Sequence, residues 1–369
     1  MQINQKLTER IRVSAKRPYI LLFGIALGIA CISVIFSAFS SNGPFRNAFS
    51  GLLSFRMKDT SNVKTDSALR TAAVSLVLDT AEYNAGLIRM VNGDSSGRWP
   101  AKTAYPAAGA ILPFNRIVAY YGNFYSKKMG VLGEYSADTM LAKLQAEIKK
   151  WQAADSTTKV IPALHYIAVT AQGEPGKGNK YRLRMPFKQI DSVIRLADRI
   201  NALVFLDVQV GLSTVQDEIP LLEPYLKMPQ VHLGIDPEFS MKTGKKPGSV
   251  IGTMDAADVN YTIKYLAALA KANNLPPKIL VVHRFTQAMV TNYRNIQPDS
   301  LVQVVMDMDG WGAQSRKYTT YREFISKEPV QFTGFKLFYK NDYREANSRI
   351  LTPEEVLRLK PKPMYIQYQ

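Results

Sequence analysis

Cysteine is all but missing from this chain. Its 369 residues include one, Cys31, which lies inside an apolar run. The remainder therefore cannot use disulfides and must be held by packing. Histidine is scarce as well, with three copies, and none forms an H-x-H or H-E-x-x-H pair. A zinc-hydrolase motif is thus absent, and no metal or other cofactor is expected. No G-x-S-x-G is present, so the chain shows neither a serine nor a cysteine nucleophile motif. A glycine-rich phosphate fingerprint does not follow the first strand-like run, which argues against an open dinucleotide-binding sheet. Tandem repeats and low-complexity blocks are also lacking.

Acidic residues are the minority among charged ones, 30 against 47 basic, for a net charge of +17. Residues 1–17 form a basic flank, with Lys6, Arg10, Arg12, Lys16 and Arg17 against Glu9. The next charge is Arg46, and between them residues 18–39, PYILLFGIALGIACISVIFSAF, are apolar enough to cross a bilayer, which takes about 20 residues. The basic side stays cytoplasmic, so the rest is expected outside the cytoplasm, behind a single-pass signal anchor. A cleaved signal peptide is the competing reading, with Ala38-Phe39-Ser40 as its small-x-small site. Lipidation of Cys31 is a third, although the apolar ISVIF that follows is unlike a polar tether. An excess of positive charge suits phospholipid headgroups or acidic polysaccharide, and equally a plain solvated surface. Export argues against nucleic acid. The flexible loop Thr243 to Ser249, TGKKPGS, has the same two readings, anionic polymer or solvent.

Residues 40–114 read as a tether followed by one helical pattern, Ser67 to Met90, and a Gly, Pro and Ala-rich loop. From residue 115 to 369 strand-like and helix-like segments alternate. The strand-like runs are RIVAYYGNF, KVIPALHYIAV, ALVFLDVQVG, VHLGIDPEF, KILVVHRF, LVQVVMDMDG, FTGFKLFY and PMYIQYQ, eight in all. Helical patterns lie between them, including 136–154, 186–201, 214–226, 255–274, 287–293, 318–327 and 352–359. This alternation predicts a (β/α)8 barrel of the TIM type. No residues remain for a helix after the eighth strand, so the Ser67–Met90 helix is expected to fill that gap or to plug the barrel floor.

In such a barrel reactive groups gather at the C-terminal ends of the strands. In VHLGIDPE the alternate residues Val231, Leu233 and Ile235 are all apolar and suit the outer helices, which turns His232, Gly234, Asp236 and Glu238 inward. The same parity pairs Asp207 with Gln209 and Asp307 with Asp309. His165 ends the second strand, His283 and Arg284 end the fifth, and Lys336 lies on the seventh. Any one strand-end acid is ordinarily a cap or a loop acceptor. Five converging on one rim repel one another and raise each other's pKa, a property of acid–base sites.

Glycoside hydrolysis fits this cluster, with Glu238 as the acid, Asp236 orienting the sugar or an acetamido group, and Asp307 as a further catalytic carboxylate. Tyr121, Asn123, His165, Asp207, Gln209, His283, Asp309, Trp311, Lys336 and Tyr365 are the candidate substrate-binding residues. Metal-dependent hydrolysis through His165, His283 and a nearby Asp, or binding of sugar hydroxyls without chemistry, are the alternatives. Aromatic residues at Tyr120, Phe124, Tyr125, Phe338 and Tyr339 add possible stacking faces for a polysaccharide.

The Asp236-x-Glu238 ending of the fourth strand is similar to that of lysozyme-like barrel glycosidases that use substrate assistance, although Tyr120, Tyr121 and Asn123 stand where those enzymes carry a first-strand acid. Five stretches, YYGNFYSKKMGVLGEY (Tyr120 to Tyr135), LDVQVG (Leu206 to Gly211), LGIDPEF (Leu233 to Phe239), LVVHRF (Leu280 to Phe285) and GFKLFYKND (Gly334 to Asp342), resemble a family of uncharacterised bacterial secreted proteins and lipoproteins. That resemblance runs from about residue 115 to the end. It implies an envelope-associated barrel, often lipidated in that family, and no established activity.

Overall fold

A computed structural model describes residues 77–369 of the chain. The basic flank, the apolar run with Cys31, and the tether up to residue 76 lie outside the described residues. Among the described residues no helix is long and apolar enough to cross a membrane.

Eight parallel strands form the centre: β1 (Asn115–Gly122), β2 (Lys159–Ala171), β3 (Leu203–Val208), β4 (Val231–Ile235), β5 (Lys278–Arg284), β6 (Val302–Met308), β7 (Phe332–Leu337) and β8 (Tyr365–Tyr368). Each pairs with its successor, and β8 returns to β1 with Ile117 opposite Tyr365. The eight strands therefore close into a barrel, with one short antiparallel strand, Arg182–Arg184, appended to the end of β2. All eight coincide with the eight strand-like runs of the sequence.

Alternation along the strands divides the apolar residues into two layers. Val118, Leu164, Val204, Leu206, Leu233, Val282, Val304 and Ile366 face outward and pack under the helices. Ile117, Ala119, Ala163, Phe205, Ile279, Val281, Val305 and Phe332 fill the lower barrel interior.

Four helices of eight or more residues cover the outside: α2 (Ala137–Ala154), α3 (Phe187–Asp198), α4 (Ala256–Ala272) and α5 (Gln314–Tyr321). The hydroxyl of Ser136 caps α2, whose buried face runs Met140, Leu141, Leu144 and Trp151 at helical spacing. Asp255 and Asp258 form a reciprocal capping box at the start of α4.

Three expected helices differ. Residues 214–226 break into short turns at Val215–Glu218, Ile219–Leu222 and Glu223–Leu226. Pro220 and Pro224 each remove an amide donor there, which prevents one continuous ladder. The 287–293 segment is two 3-10 turns around a two-residue strand, Val290–Thr291, that pairs with Met254–Asp255. Residues 352–359 hold a single turn, Pro353–Val356.

The helix before the barrel, α1 (Thr80–Val91), begins where Asp79 accepts a bond from the amide of Glu82 at 2.9 Å. Any helix before residue 77 lies outside the described residues. This helix plugs the barrel floor: Tyr83, Met90, Trp99 and Leu112 belong to the same buried cluster as Ile117, Phe205 and Val305. Gln303, at the bottom of β6, accepts from the amides of Ile111 and Leu112 at 3.0 Å each and donates to the carbonyl of Leu112 at 2.6 Å. The Trp99 indole donates to the carbonyl of Ser326 at 2.8 Å.

Trp99→Ala is expected to cost about 3–5 kcal/mol in equilibrium denaturation, the usual loss for a buried tryptophan. A change under about 0.5 kcal/mol, the surface-substitution range, would mean that residues 77–114 are only a tether.

Candidate active site at the barrel mouth

At the upper end of the barrel the inward-facing residues change from apolar to ionisable. Strand register brings His283, Asp307, Gly334 and Tyr365 side by side across β5 to β8. On the other side Asp207 lies beside Gly234, and Tyr121 beside His165.

Asp207 is at the centre. Its Oδ2 accepts from the Tyr121 hydroxyl at 2.9 Å, while Oδ1 lies 3.4 Å from His165 Nε2 and 3.5 Å from His283 Nε2. His283 turns its other nitrogen, Nδ1, toward Asp307 Oδ2 and Asp309 Oδ2, at 3.2 Å each. Lys336 Nζ meets Asp309 Oδ1 at 2.9 Å and stands 4.0 Å from the centre of the Tyr121 ring, a cation–π contact. Gln209 Nε2 is shared between the Tyr121 hydroxyl at 3.3 Å and Asp236 Oδ2 at 3.2 Å.

Two glycines make room for these groups. A Cβ on Gly234 would sit 2.5 Å from His165 Nε2 and 2.6 Å from Asp207 Oδ1. One on Gly334 would sit 2.5 Å from Asp307 Oδ1. Glycine within a strand marks such a close approach, and this was the signal in the sequence for both positions.

Glu238 reaches the rim by a different route from strand parity. The fourth strand stops at Ile235, and Asp236 caps a 3-10 turn, Pro237–Phe239, by accepting from the Glu238 amide at 3.0 Å. Asp236 is thus both the cap that an isolated strand-end acid ordinarily is and a member of the cluster. Glu238 is half-buried above it.

Burial and mutual charge set the protonation states. Desolvation, reinforced by Asp236 and Asp309, pushes Glu238 up to about 8. Desolvation likewise raises Asp236 to about 7. Burial also raises Asp307. For Asp309 burial acts upward, but Lys336 and His283 outweigh it and hold the acid below the usual carboxylate range. Asp207 is held low against its own burial by His283 and His165. Burial would neutralise His283, but Asp207, Asp307 and Asp309 overcome it and raise its pKa well above the ordinary value. Burial dominates at His165 and lowers it to about 4. These opposed shifts place a protonated acid and an ionised acid at one rim.

The candidate residues occupy different depths. Tyr121, Gln209, Asp236, Asp309 and Lys336 are almost wholly buried, and His165, Asp207, His283 and Asp307 have no exposure at all. Asp307, expected to act on substrate, is enclosed against His283. Tyr365, expected at the rim, opens β8 instead of ending it; it lies a layer down, with its hydroxyl 2.6 Å from His165 Nδ1. Asn123 is a buried turn residue that donates to the Ile167 carbonyl and accepts from the Tyr125 amide. Trp311 is 41% exposed, with the guanidinium groups of Arg316 and Arg344 over its ring.

Of the remaining aromatics, Tyr120 and Tyr339 face the outer helices, where their hydroxyls meet at 3.0 Å. Phe124 packs on Tyr166 in the same layer. Arg284 also points outward, to Glu328. Gln367, not among the residues expected at the site, is buried and donates to the Tyr365 hydroxyl at 2.9 Å. Its inward parity with Tyr365 was legible.

A cavity of about 340 Å3 opens between the loops after β3 and β4, lined by Val210, Leu212, Thr214, Met241 and Lys242 among others. None of the cluster's titratable residues lines it.

No family model matches the chain, and no curated protein matches it. Among solved structures it is similar to a cellulase, Cel5C_n, at 13% identity and a TM-score of 0.36, over 60% of this chain and 65% of that one, a little under two thirds of its length. It is also similar to a GH18 chitinase from Pseudoalteromonas aurantia at 10% identity and 0.36, over 69% and 93%. A Bacillus subtilis mannanase, BCman, aligns at 11% and 0.38, over 80% and 87%. The barrel assignment rests on the closed strand register.

Glu238 binds its proton more tightly in the folded chain than in the unfolded one. Its contribution to stability is therefore complete below the unfolded value near 4 and is lost as pH rises toward about 8. Glu238→Gln should remove this slope, so that its stability relative to wild type improves from pH 5 to pH 8. Parallel stability–pH curves would show instead that Glu238 is solvated.

Proposed function

We propose that this chain is a carbohydrate-active barrel that cleaves glycosidic bonds by carboxylate acid–base chemistry, acting on polysaccharide outside the cytoplasm. The observation that carries the reading is the split in protonation between Glu238 and Asp309. Among the described residues no cation lies within ion-pair distance of Glu238, whereas Lys336 holds Asp309 ionised at 2.9 Å. Glycoside cleavage needs this pair of states: a carboxylic acid to protonate the leaving oxygen and a carboxylate to attack, to activate water or to stabilise developing positive charge.

In this mechanism Glu238 donates its proton to the glycosidic oxygen. Asp309, fixed by Lys336, faces the reaction as the anion. Asp236, raised to about 7 and bonded to Gln209, accepts or donates a hydrogen bond to a sugar hydroxyl or acetamido group. Trp311 offers a stacking face at the rim. The apolar run 18–39, read as an anchor, would hold the barrel on the outer side of the membrane. The resemblance to secreted proteins and lipoproteins agrees with that placement.

Enclosure favours a second reading, in which the mouth binds sugar without cleaving it. Of the acid cluster and Gln209, only Glu238 and the edges of Asp309 and Gln209 are open to a ligand.

Mass spectrometry of products released from peptidoglycan and from neutral and acidic glycans separates the two. The hydrolase reading expects release by wild type, lowered about 10²–10⁴-fold in Glu238→Gln, the usual size of a general-acid contribution. The rate should fall as pH rises past about 8, where Glu238 loses its proton. Glycan retention by both proteins with release by neither would establish the binding module.

A further inference from the structure

We infer that the chain carries a site for one divalent transition-metal ion of the zinc class, held by His165 Nε2, Asp207 Oδ1 and His283 Nε2. The inference is independent of the glycosidase reading, since the three ligands lie beneath Glu238 and Asp236.

The three donor atoms lie within 4.8 Å of one another, on residues with no exposed surface. None has a hydrogen-bond partner among the described residues, although each is buried. Leaving such atoms unpaired in the interior costs about 1–3 kcal/mol apiece, more when charged. Direct ion pairing does not satisfy them. The 3.4 and 3.5 Å separations from Asp207 Oδ1 exceed the 2.7–3.2 Å of an N–H···O bond. A proton shared between imidazole and carboxylate would draw them closer. The same separations suit ligands around a single ion. Bonds of about 2.0–2.1 Å in a tetrahedral arrangement set neighbouring donors about 3.3–3.4 Å apart.

The surrounding groups orient the ligands for that purpose. His283 Nδ1 faces the carboxylates of Asp307 and Asp309, which hold one proton there, and an ion at Nε2 takes the place of the second proton that the surrounding acids favour on this ring. His165 Nδ1 faces the Tyr365 hydroxyl, which Gln367 steadies in turn. Carboxylate or hydroxyl partners on the far nitrogen fix the tautomer and orientation of a metal-binding imidazole. Gly234 keeps one side clear, because any Cβ there would press on His165 Nε2 and Asp207 Oδ1 together. Two imidazoles and one carboxylate select a borderline ion such as Zn²⁺ or Co²⁺ over Mg²⁺ or Ca²⁺, which prefer oxygen. Three protein donors leave a fourth position for water. The sequence offered His165, His283 and a nearby Asp as a metal alternative but could not single out Asp207, since the three stand on β2, β3 and β5 with no local spacing between them.

The test uses the tag-free full chain in detergent, stripped with chelator, reloaded with Co²⁺ or Zn²⁺ and desalted. Elemental analysis should find one ion per chain, with a visible Co²⁺ absorption band of tetrahedral type and a melting temperature raised by Zn²⁺. Asp207→Asn and His165→Gln should lose the ion, the band and the shift, whereas Glu238→Gln should keep all three. Should the ligand variants misfold, the wild-type stoichiometry and band decide. No ion retained by wild type, or a band unchanged in folded Asp207→Asn, would overturn the site. A bound ion in a chain that releases no sugar leaves the metal site standing and counts against the glycosidase alone.

Discussion

A positively polarised imidazole, His283, held among three carboxylates inside the barrel, is the constraint around which the upper half of the molecule is arranged. Removing such charges from water is expensive, and the cost is offset only where each partner is placed and bonded. Asp207 and Asp307 face His283 from neighbouring sides, Asp309 is drawn off by Lys336, and Tyr121 covers the remaining oxygen of Asp207. Gly234 and Gly334 follow from the same need, since a methyl group at either would displace a charged atom. Glu238, with no cation of its own, keeps its proton because it is desolvated and because the field below it is already negative.

The lower half carries the opposite chemistry. Ile117, Phe205, Ile279, Val305 and Phe332 fill the barrel, and α1 with the Trp99–Leu112 segment seals them from beneath. Without α1 and the segment after it, these apolar side chains at the barrel floor would be open to water. The plug closes that end while Gln303 satisfies the backbone groups it buries. With the floor sealed and mainly apolar, the inward-facing acids gather at the mouth, where exclusion of water lowers the local dielectric around them.

Much of the barrel was legible because each strand writes its two faces in alternate residues. Val231, Leu233 and Ile235 against His232, Gly234 and Asp236 gave the inward set of β4 without a structure. Alternation carries no information past the point where a strand stops. Glu238 lies on a 3-10 turn, so its place at the rim comes from the cap at Asp236 and not from parity. Tyr365 misled in depth: the length of the eighth run did not reveal that it begins the ladder. The segments 214–226 and 287–293 carried helical spacing that prolines and tertiary pairing overrode.

The sequence by itself determined the strand count, the inward parity of Asp207 and Asp307, and the parallel barrel architecture. These are local patterns, repeated every two residues along a strand and every thirty or so along the chain. Only the tertiary structure decided which acids share a proton or a cation. His165, Asp207 and His283 stand far apart in the chain, and their protonation depends on burial and on distances of a few ångströms that barrel closure sets. Coulomb and desolvation energies change steeply over that range, and no one-dimensional spacing encodes them.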